Sequence, residues 1–128
     1  MTKRPKLMVV DDEIDICNFL KAFFELRGLQ VVTALNGDEA MAKLLPENPD
    51  VVILDVMMRR GNEGIEYLPQ IKKALPAARV LIVTGVEDEK TIEQAKSLGA
   101  DDYITKPLVL EYLEGTVLEK IKNLTAGR

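Results

Sequence analysis

The residues that could do phosphate or cation chemistry stand at the ends of short apolar runs. Leu7-Met-Val-Val10 leads into Asp11 and Asp12, with Glu13 next, and Val51-Val-Ile-Leu54 leads into Asp55. Val80-Leu-Ile-Val83 leads into Thr84, and Tyr103-Ile104 is soon followed by Lys106-Pro107. Singly, each has an ordinary explanation. Asp11 and Asp12 precede a helical segment, where Asp is a favoured cap; Asp55 suits a turn, Thr84 a cap and Lys106 a solvated loop. If the runs are neighbouring strands, however, three carboxylates meet a hydroxyl and an ammonium at one rim. Two like charges about 4 Å apart repel by on the order of 4 kcal/mol at an effective dielectric near 20. Such a cluster takes up protons or binds a cation. Oxygen-only ligands fit Mg²⁺, which keeps several waters and uses one or two carboxylates plus a phosphate oxygen. A lysine and a hydroxyl are natural partners for the remaining phosphoryl oxygens. The pattern asks for a phosphoryl group and leaves open whether that group is bound, hydrolysed or accepted.

The elements that must position these residues are legible in the apolar pattern. Leu7–Val10, Val31-Val32, Val51–Leu54, Val80–Val83 and Tyr103-Ile104 read as five strands. Three of them are continuously apolar, as expected of strands buried on both faces of a parallel sheet. Helical spacing fills the intervals. Ile16, Leu20, Phe23 and Phe24 mark a first helix closed by Gly28. Ala40, Leu44 and Leu45 mark a second, stopped by Pro46 and Pro49. Ile65, Leu68, Ile71 and Leu75 mark a third that ends before Pro76. Ile92, Ala95 and Leu98 mark a fourth closed by Gly99, and Leu110, Leu113, Val117, Ile121 and Leu124 the last. Five βα units with short connections imply an α/β fold with a doubly wound sheet. In such a sheet ligands bind beyond the C-terminal strand ends, where the strand order reverses.

Composition bounds the function. At roughly 150 residues per domain, 128 residues make one domain, expected to span 1–128 with its core at about 6–124 and no room for an effector. Hydrophobic residues at 47% and charged residues at 30% are ordinary globular values and exclude a disordered chain. The net charge of −4 argues against direct nucleic-acid binding. Cys17 stands alone, so no internal disulfide forms and a reducing, cytoplasmic setting is expected. The apolar run after the basic N-terminus is too short for a signal peptide or membrane span. With no histidine, the chain has no His-based nucleophile, no His-ligated zinc and no phosphohistidine of its own.

These residues resemble the receiver domain of two-component response regulators, from about Lys6 to Leu124. Met8-Val-Val-Asp-Asp-Glu13 is similar to that family's acidic-pair strand and Val52-Ile-Leu-Asp-Val-Met-Met58 to its phosphoacceptor strand. Val80-Leu-Ile-Val-Thr-Gly85 is similar to its hydroxyl strand, and Gly99-Ala-Asp-Asp-Tyr-Ile-Thr-Lys-Pro107 is the most specific stretch. The resemblance implies a flavodoxin-like strand order 2-1-3-4-5 with helices on both faces. It implies Asp55 as phosphoacceptor, and Asp11, Asp12, Asp55 and the backbone carbonyl of Met57 as the Mg²⁺ set. Lys106 would pair with Asp55 at rest and with a phosphoryl oxygen afterwards. Thr84 would move toward the phosphoryl group and open space for Tyr103. The Lys106–Pro107 bond would be cis. A sensor histidine kinase or histidine phosphotransfer protein would supply the phosphoryl group, and a downstream protein target or effector domain would read the switched face.

The departures from the family pattern cluster after the acceptor. Arg59 replaces the usual proline four residues on; Glu63 replaces the usual glycine eight residues on, with Gly64 one position later. The loop is therefore expected to be one residue longer, and Arg59 or Arg60 to tune phosphoryl lifetime. Two enzyme or cofactor alternatives share parts of the pattern. An aspartyl-phosphate hydrolase of the haloacid dehalogenase type needs a second aspartate two residues after its nucleophile, where this chain has Met57. A flavin-binding flavodoxin-like module needs a phosphate loop after the first strand, where Asp11-Asp12-Glu13 would repel a phosphate. A receiver used only for docking or dimerisation is the third alternative, and the apolar stripe on the last helix is its candidate homodimer face.

Overall fold

Alternation along each strand sets the architecture. Successive side chains of a strand point to opposite faces, so a continuously apolar strand feeds two cores at once. In the computed structural model, which describes residues 4–58, 63–85 and 89–126, five strands form one parallel sheet. They are β1 (Lys6–Val10), β2 (Gln30–Ala34), β3 (Val51–Asp55), β4 (Arg79–Thr84) and β5 (Asp102–Thr105), in the order β2-β1-β3-β4-β5. Helices α1 (Ile14–Glu25), α2 (Gly37–Glu47), α3 (Glu63–Ala74) and α4 (Glu89–Ser97) alternate with them. Leu7, Val9, Val51, Ile53, Leu81 and Val83 pack on one face against α1 and the C-terminal helix. Met8, Val10, Val52, Leu54, Val80 and Ile82 pack on the other face with Ala40, Leu44, Ile65, Leu68, Ile71 and Ala95. Each of the Val, Leu, Ile and Met side chains, fully buried, stabilises the fold by about 1.5–3 kcal/mol. The doubly wound sheet expected from the sequence is the fold observed.

Helix ends follow the sequence with one difference. Gly28 (φ 85°) and Gly99 (φ 111°) close their helices in the left-handed region, as expected. Pro46 does not stop α2, which runs on to Glu47 and closes at Asn48, itself left-handed at φ 48°. A proline so close to the end costs only one hydrogen bond of the last turn. At the other end Asn36 caps α2, its side chain accepting from the Glu39 amide at 2.8 Å.

The C-terminal helix departs further from its expected stripe. It runs as α5 (Leu110–Tyr112), a π-helical turn (Leu113–Val117) and α6 (Leu118–Thr125). Leu113, Val117 and Ile121 are buried in the core, which accounts for most of the stripe, but Leu110 is exposed. A π turn holds more residues than an α turn, so the face before it is rotated relative to the face after it. Tyr112 rather than Leu110 packs against the core there.

The end of the sheet away from the acidic rim is tied by Asp101. Its carboxylate accepts from the Val80 amide (2.8 Å), Lys72 Nζ (3.0 Å) and Arg79 (3.3 Å). Burial acts to raise its pKa, but these donors outweigh that and hold it below the ordinary value.

Candidate functional site

The strand order reverses between β1 and β3, and the acidic residues lie at that switch point. Asp55 is the last residue of β3 and Asp11 directly follows β1; both are buried, at 1% and 3% exposure. Carboxylate oxygens of Asp11, Asp12 and Asp55 all lie within 4.8 Å of one another.

The same local device aims both buried carboxylates. Asp11 Oδ1 accepts from the Glu13 amide at 2.9 Å, and Asp55 Oδ1 accepts from the Met57 amide at 2.9 Å. Each Asp thus folds the chain into an i to i+2 turn that fixes its own rotamer. The second oxygen of each is left to face Lys106, whose Nζ lies 2.9 Å from Asp55 Oδ2 and 3.6 Å from Asp11 Oδ2. Glu13 Oε2 stands a little farther off, at 3.9 Å. Asp11 and Asp12 do not act as the helix cap: the N-cap of α1 is Glu13, without a side-chain bond.

The electrostatics follow from this crowding. Burial, reinforced by the charge of Asp55, raises the Asp11 pKa to about 6 against the opposing effects of the Glu13 amide and Lys106. Burial acts to lower the pKa of Lys106, but its bond to Asp55 and the charges of Asp55, Asp11 and Glu13 outweigh it and raise the value. One ammonium thus neutralises part of a three-carboxylate cluster and leaves it short of positive charge.

The remaining expected residues sit on the same rim or behind it. Thr84 is buried at the end of β4, its carbonyl accepting from the Lys106 amide at 2.8 Å. The Lys106–Pro107 bond is cis. Tyr103 is half-buried, with Lys120 Nζ 4.8 Å and Lys96 Nζ 5.6 Å from its ring centre. Arg59 and Arg60 lie outside the described residues.

Three residues visible in the sequence make contacts at the site that the sequence does not show. Glu13 adds a third acid to the surroundings of Lys106. Cys17 donates its Sγ–H to the Asp11 carbonyl at 3.3 Å, and burial with the nearby Asp11 charge pushes its thiol up to about 11, so it is a structural donor and not a thiolate. Gly64 packs directly on the acceptor's backbone: a Cβ there would lie 2.2 Å from the Asp55 carbonyl oxygen. The glycine that comes one residue late in sequence still brings α3 against the end of β3. Its signal was present in the spacing; the contact it makes was not.

A doubly wound α/β domain with paired carboxylates and a lysine at its switch point defines a narrow class, and sequence comparison supplies the family. The model of the response regulator receiver domain matches residues 7–118, and the chain belongs to that family. It is 39% identical over 102 residues to the alkaline phosphatase synthesis transcriptional regulatory protein PhoP of Bacillus subtilis, covering 80% of this chain and 42% of PhoP. It is 42% identical over 108 residues to the transcriptional regulatory protein ResD of the same organism, covering 83% of this chain and 43% of ResD. The chain therefore spans less than half the length of these relatives. Among solved structures, the chemotaxis protein CheY4 of Vibrio cholerae superposes with a TM-score of 0.85 at 27% identity, covering 95% of this chain and 99% of that one. A response regulator from Thermotoga maritima gives 0.83 at 31% identity, covering 95% and 98%.

Proposed function

We propose that this receiver domain is a phosphorylation-controlled switch in which Asp55 accepts a phosphoryl group. The observation that carries this reading is the Asp55–Lys106 pair, 2.9 Å apart at the switch point and flanked by Asp11. A carboxylate oxygen of Asp55 forms the new bond to phosphorus while the donor's bond to phosphorus breaks; the donor's leaving group keeps the electron pair. The buried strand and the Met57 amide hold the nucleophile in one orientation, which lowers the entropic part of the barrier. Lys106 neutralises Asp55 before transfer and is placed to bind a phosphoryl oxygen afterwards. These 128 residues hold no histidine, so a phosphohistidine donor lies outside them, of the kind of a sensor histidine kinase or histidine phosphotransfer protein.

The donor set fits Mg²⁺: three carboxylates within 4.8 Å, all oxygen, with more negative than positive charge. Asp11, Asp12 and Asp55 would hold the ion, with the Met57 carbonyl beside them. Bound there, Mg²⁺ screens the approach of an anionic donor to an anionic nucleophile. The switch itself is assigned to Thr84 and Tyr103, and the output to a protein target or effector domain, as the transcriptional regulators among the relatives suggest. The net charge of −4 supports a protein and not nucleic acid as the direct partner of this domain. Beyond accepting and losing the phosphoryl group, no catalysis on other substrates is assigned to it. Met57, two residues after the acceptor, has no proton to give to a leaving group.

The test is modification by acetyl phosphate or beryllofluoride with and without Mg²⁺, followed by intact mass and by backbone resonances. The wild type should be modified only with Mg²⁺, and Asp55→Ala should not be modified. Modification that survives Asp55→Ala overturns the assignment.

A further inference from the structure

Backbone amides alternate in direction along a strand, so β5, an edge strand, bonds to β4 with every second amide and presents the others outward. At the end of β5 this alternation has a consequence for Lys106. The Lys106 amide turns inward to the Thr84 carbonyl at 2.8 Å, so the Thr105 amide turns outward, on the side where the described residues place no further strand. That outward amide donates to the Tyr112 hydroxyl at 3.0 Å. Tyr112 is the last residue of α5, immediately before the π turn, and its ring packs against the core. The rotation produced by the π turn brings this ring, and not Leu110, to the side of the strand. The strand end is thus held from both sides, by β4 through Lys106 and by Tyr112 through Thr105.

We infer that Tyr112 is a positioning residue for Lys106: its hydroxyl pins the outer edge of β5 one residue before the lysine that reaches Asp55. The inference rests on Lys106 acting at Asp55, as proposed above. Tyr112 touches neither acceptor nor donor. Its effect is on where the lysine starts from, and a lysine that starts from a loosened strand end spends less time within hydrogen-bond range of the acceptor.

Tyr112→Phe removes the hydroxyl and keeps the ring, so packing should be kept and the melting temperature should fall by only a few degrees. Hydrogen exchange of the Thr105 amide should quicken by roughly threefold to tenfold, the range expected for loss of one hydrogen bond. The Cε resonance of Lys106 should shift. With acetyl phosphate and Mg²⁺, the maximal rate of modification should fall by a similar factor while the half-saturating donor concentration stays unchanged. Wild-type exchange at Thr105 or an unmoved Lys106 resonance overturns the positioning role, whether or not the chain is phosphorylated. Altered exchange and resonance with a wild-type maximal rate overturns its importance for transfer. Failure of the wild type itself to be modified would instead overturn the proposed function, and the resonance would still decide whether Tyr112 places Lys106.

Discussion

Replacing Asp11 with asparagine should stabilise this domain at neutral pH in the absence of divalent cations. The asparagine side chain keeps the Oδ1 that accepts from the Glu13 amide and removes a charge held beside Asp55. The size of the effect follows from the shifted pKa. Asp11 titrates at about 6 when folded and at 3.8 ordinarily, so folding favours its protonated form. That contribution is full below pH 3.8 and is lost as the pH rises through 6. Above this range the folded chain carries the ionised carboxylate at a cost on the order of 3 kcal/mol, at about 1.4 kcal/mol per pH unit. The attraction of Lys106 from 3.6 Å is already contained in that shifted value, so what offsets part of the gain is the burial of the asparagine amide itself. We expect Asp11→Asn to be more stable than wild type by about 1–3 kcal/mol at about pH 7.5.

Urea unfolding in EDTA at about pH 7.5 and about pH 4.5 measures this. At the lower pH wild-type Asp11 is already mostly protonated when folded, so the advantage of the variant should shrink by about 2 kcal/mol. Adding Mg²⁺ at the higher pH should narrow and then reverse the ranking, because an ion that binds the folded wild type more tightly than the variant stabilises it by about 1.4 kcal/mol at roughly tenfold its Kd and by about 4 kcal/mol at roughly a thousandfold. A variant that is no more stable than wild type at neutral pH, or whose advantage is the same at both pH values, refutes the argument from buried charge.

Three further outcomes follow from the packing. Gly64→Ala drives a methyl into the Asp55 carbonyl and should cost about 3 kcal/mol or more in urea unfolding, with slower modification of Asp55. Gly115→Ala, in the π turn with nothing within 4 Å of its added Cβ, should instead raise stability by about 0.5–1 kcal/mol in the same assay. Asp101→Ala leaves the Val80 amide without its acceptor and Lys72 with the Ala78 carbonyl alone, and should cost about 2 kcal/mol. Because Asp101 has a lowered pKa, the wild type should lose that stability only as the pH falls below the ordinary carboxylate range, so the two proteins should converge in acid.

What could be read from the sequence, and what could not, divides along the range of the interactions. The strands were legible because burial on both faces leaves no room for polar residues within Leu7–Val10, Val51–Leu54 or Val80–Val83. The rim was legible because residues that end parallel strands must emerge on one edge, so Asp11, Asp12, Asp55, Thr84 and Lys106 fell together once the sheet did. Periodicity failed where the backbone departs from its ideal repeat. The π turn at Leu113–Val117 removes Leu110 from its expected stripe and substitutes Tyr112, and no spacing rule with a fixed period of about 3.6 can foresee that. A proline in mid-helix is costly, yet Pro46 lies one residue from the end of α2, where almost no helix remains beyond it to be disrupted. The roles of Cys17 and Gly64 depend on contacts across elements, a thiol on the Asp11 carbonyl and a helix backbone on the Asp55 carbonyl. The acidic rim is therefore a product of topology, which sequence pattern conveys well. Its exact aim is a product of single backbone amides at Glu13, Met57 and Thr105, each held or used by one side chain that pattern alone treats as ordinary.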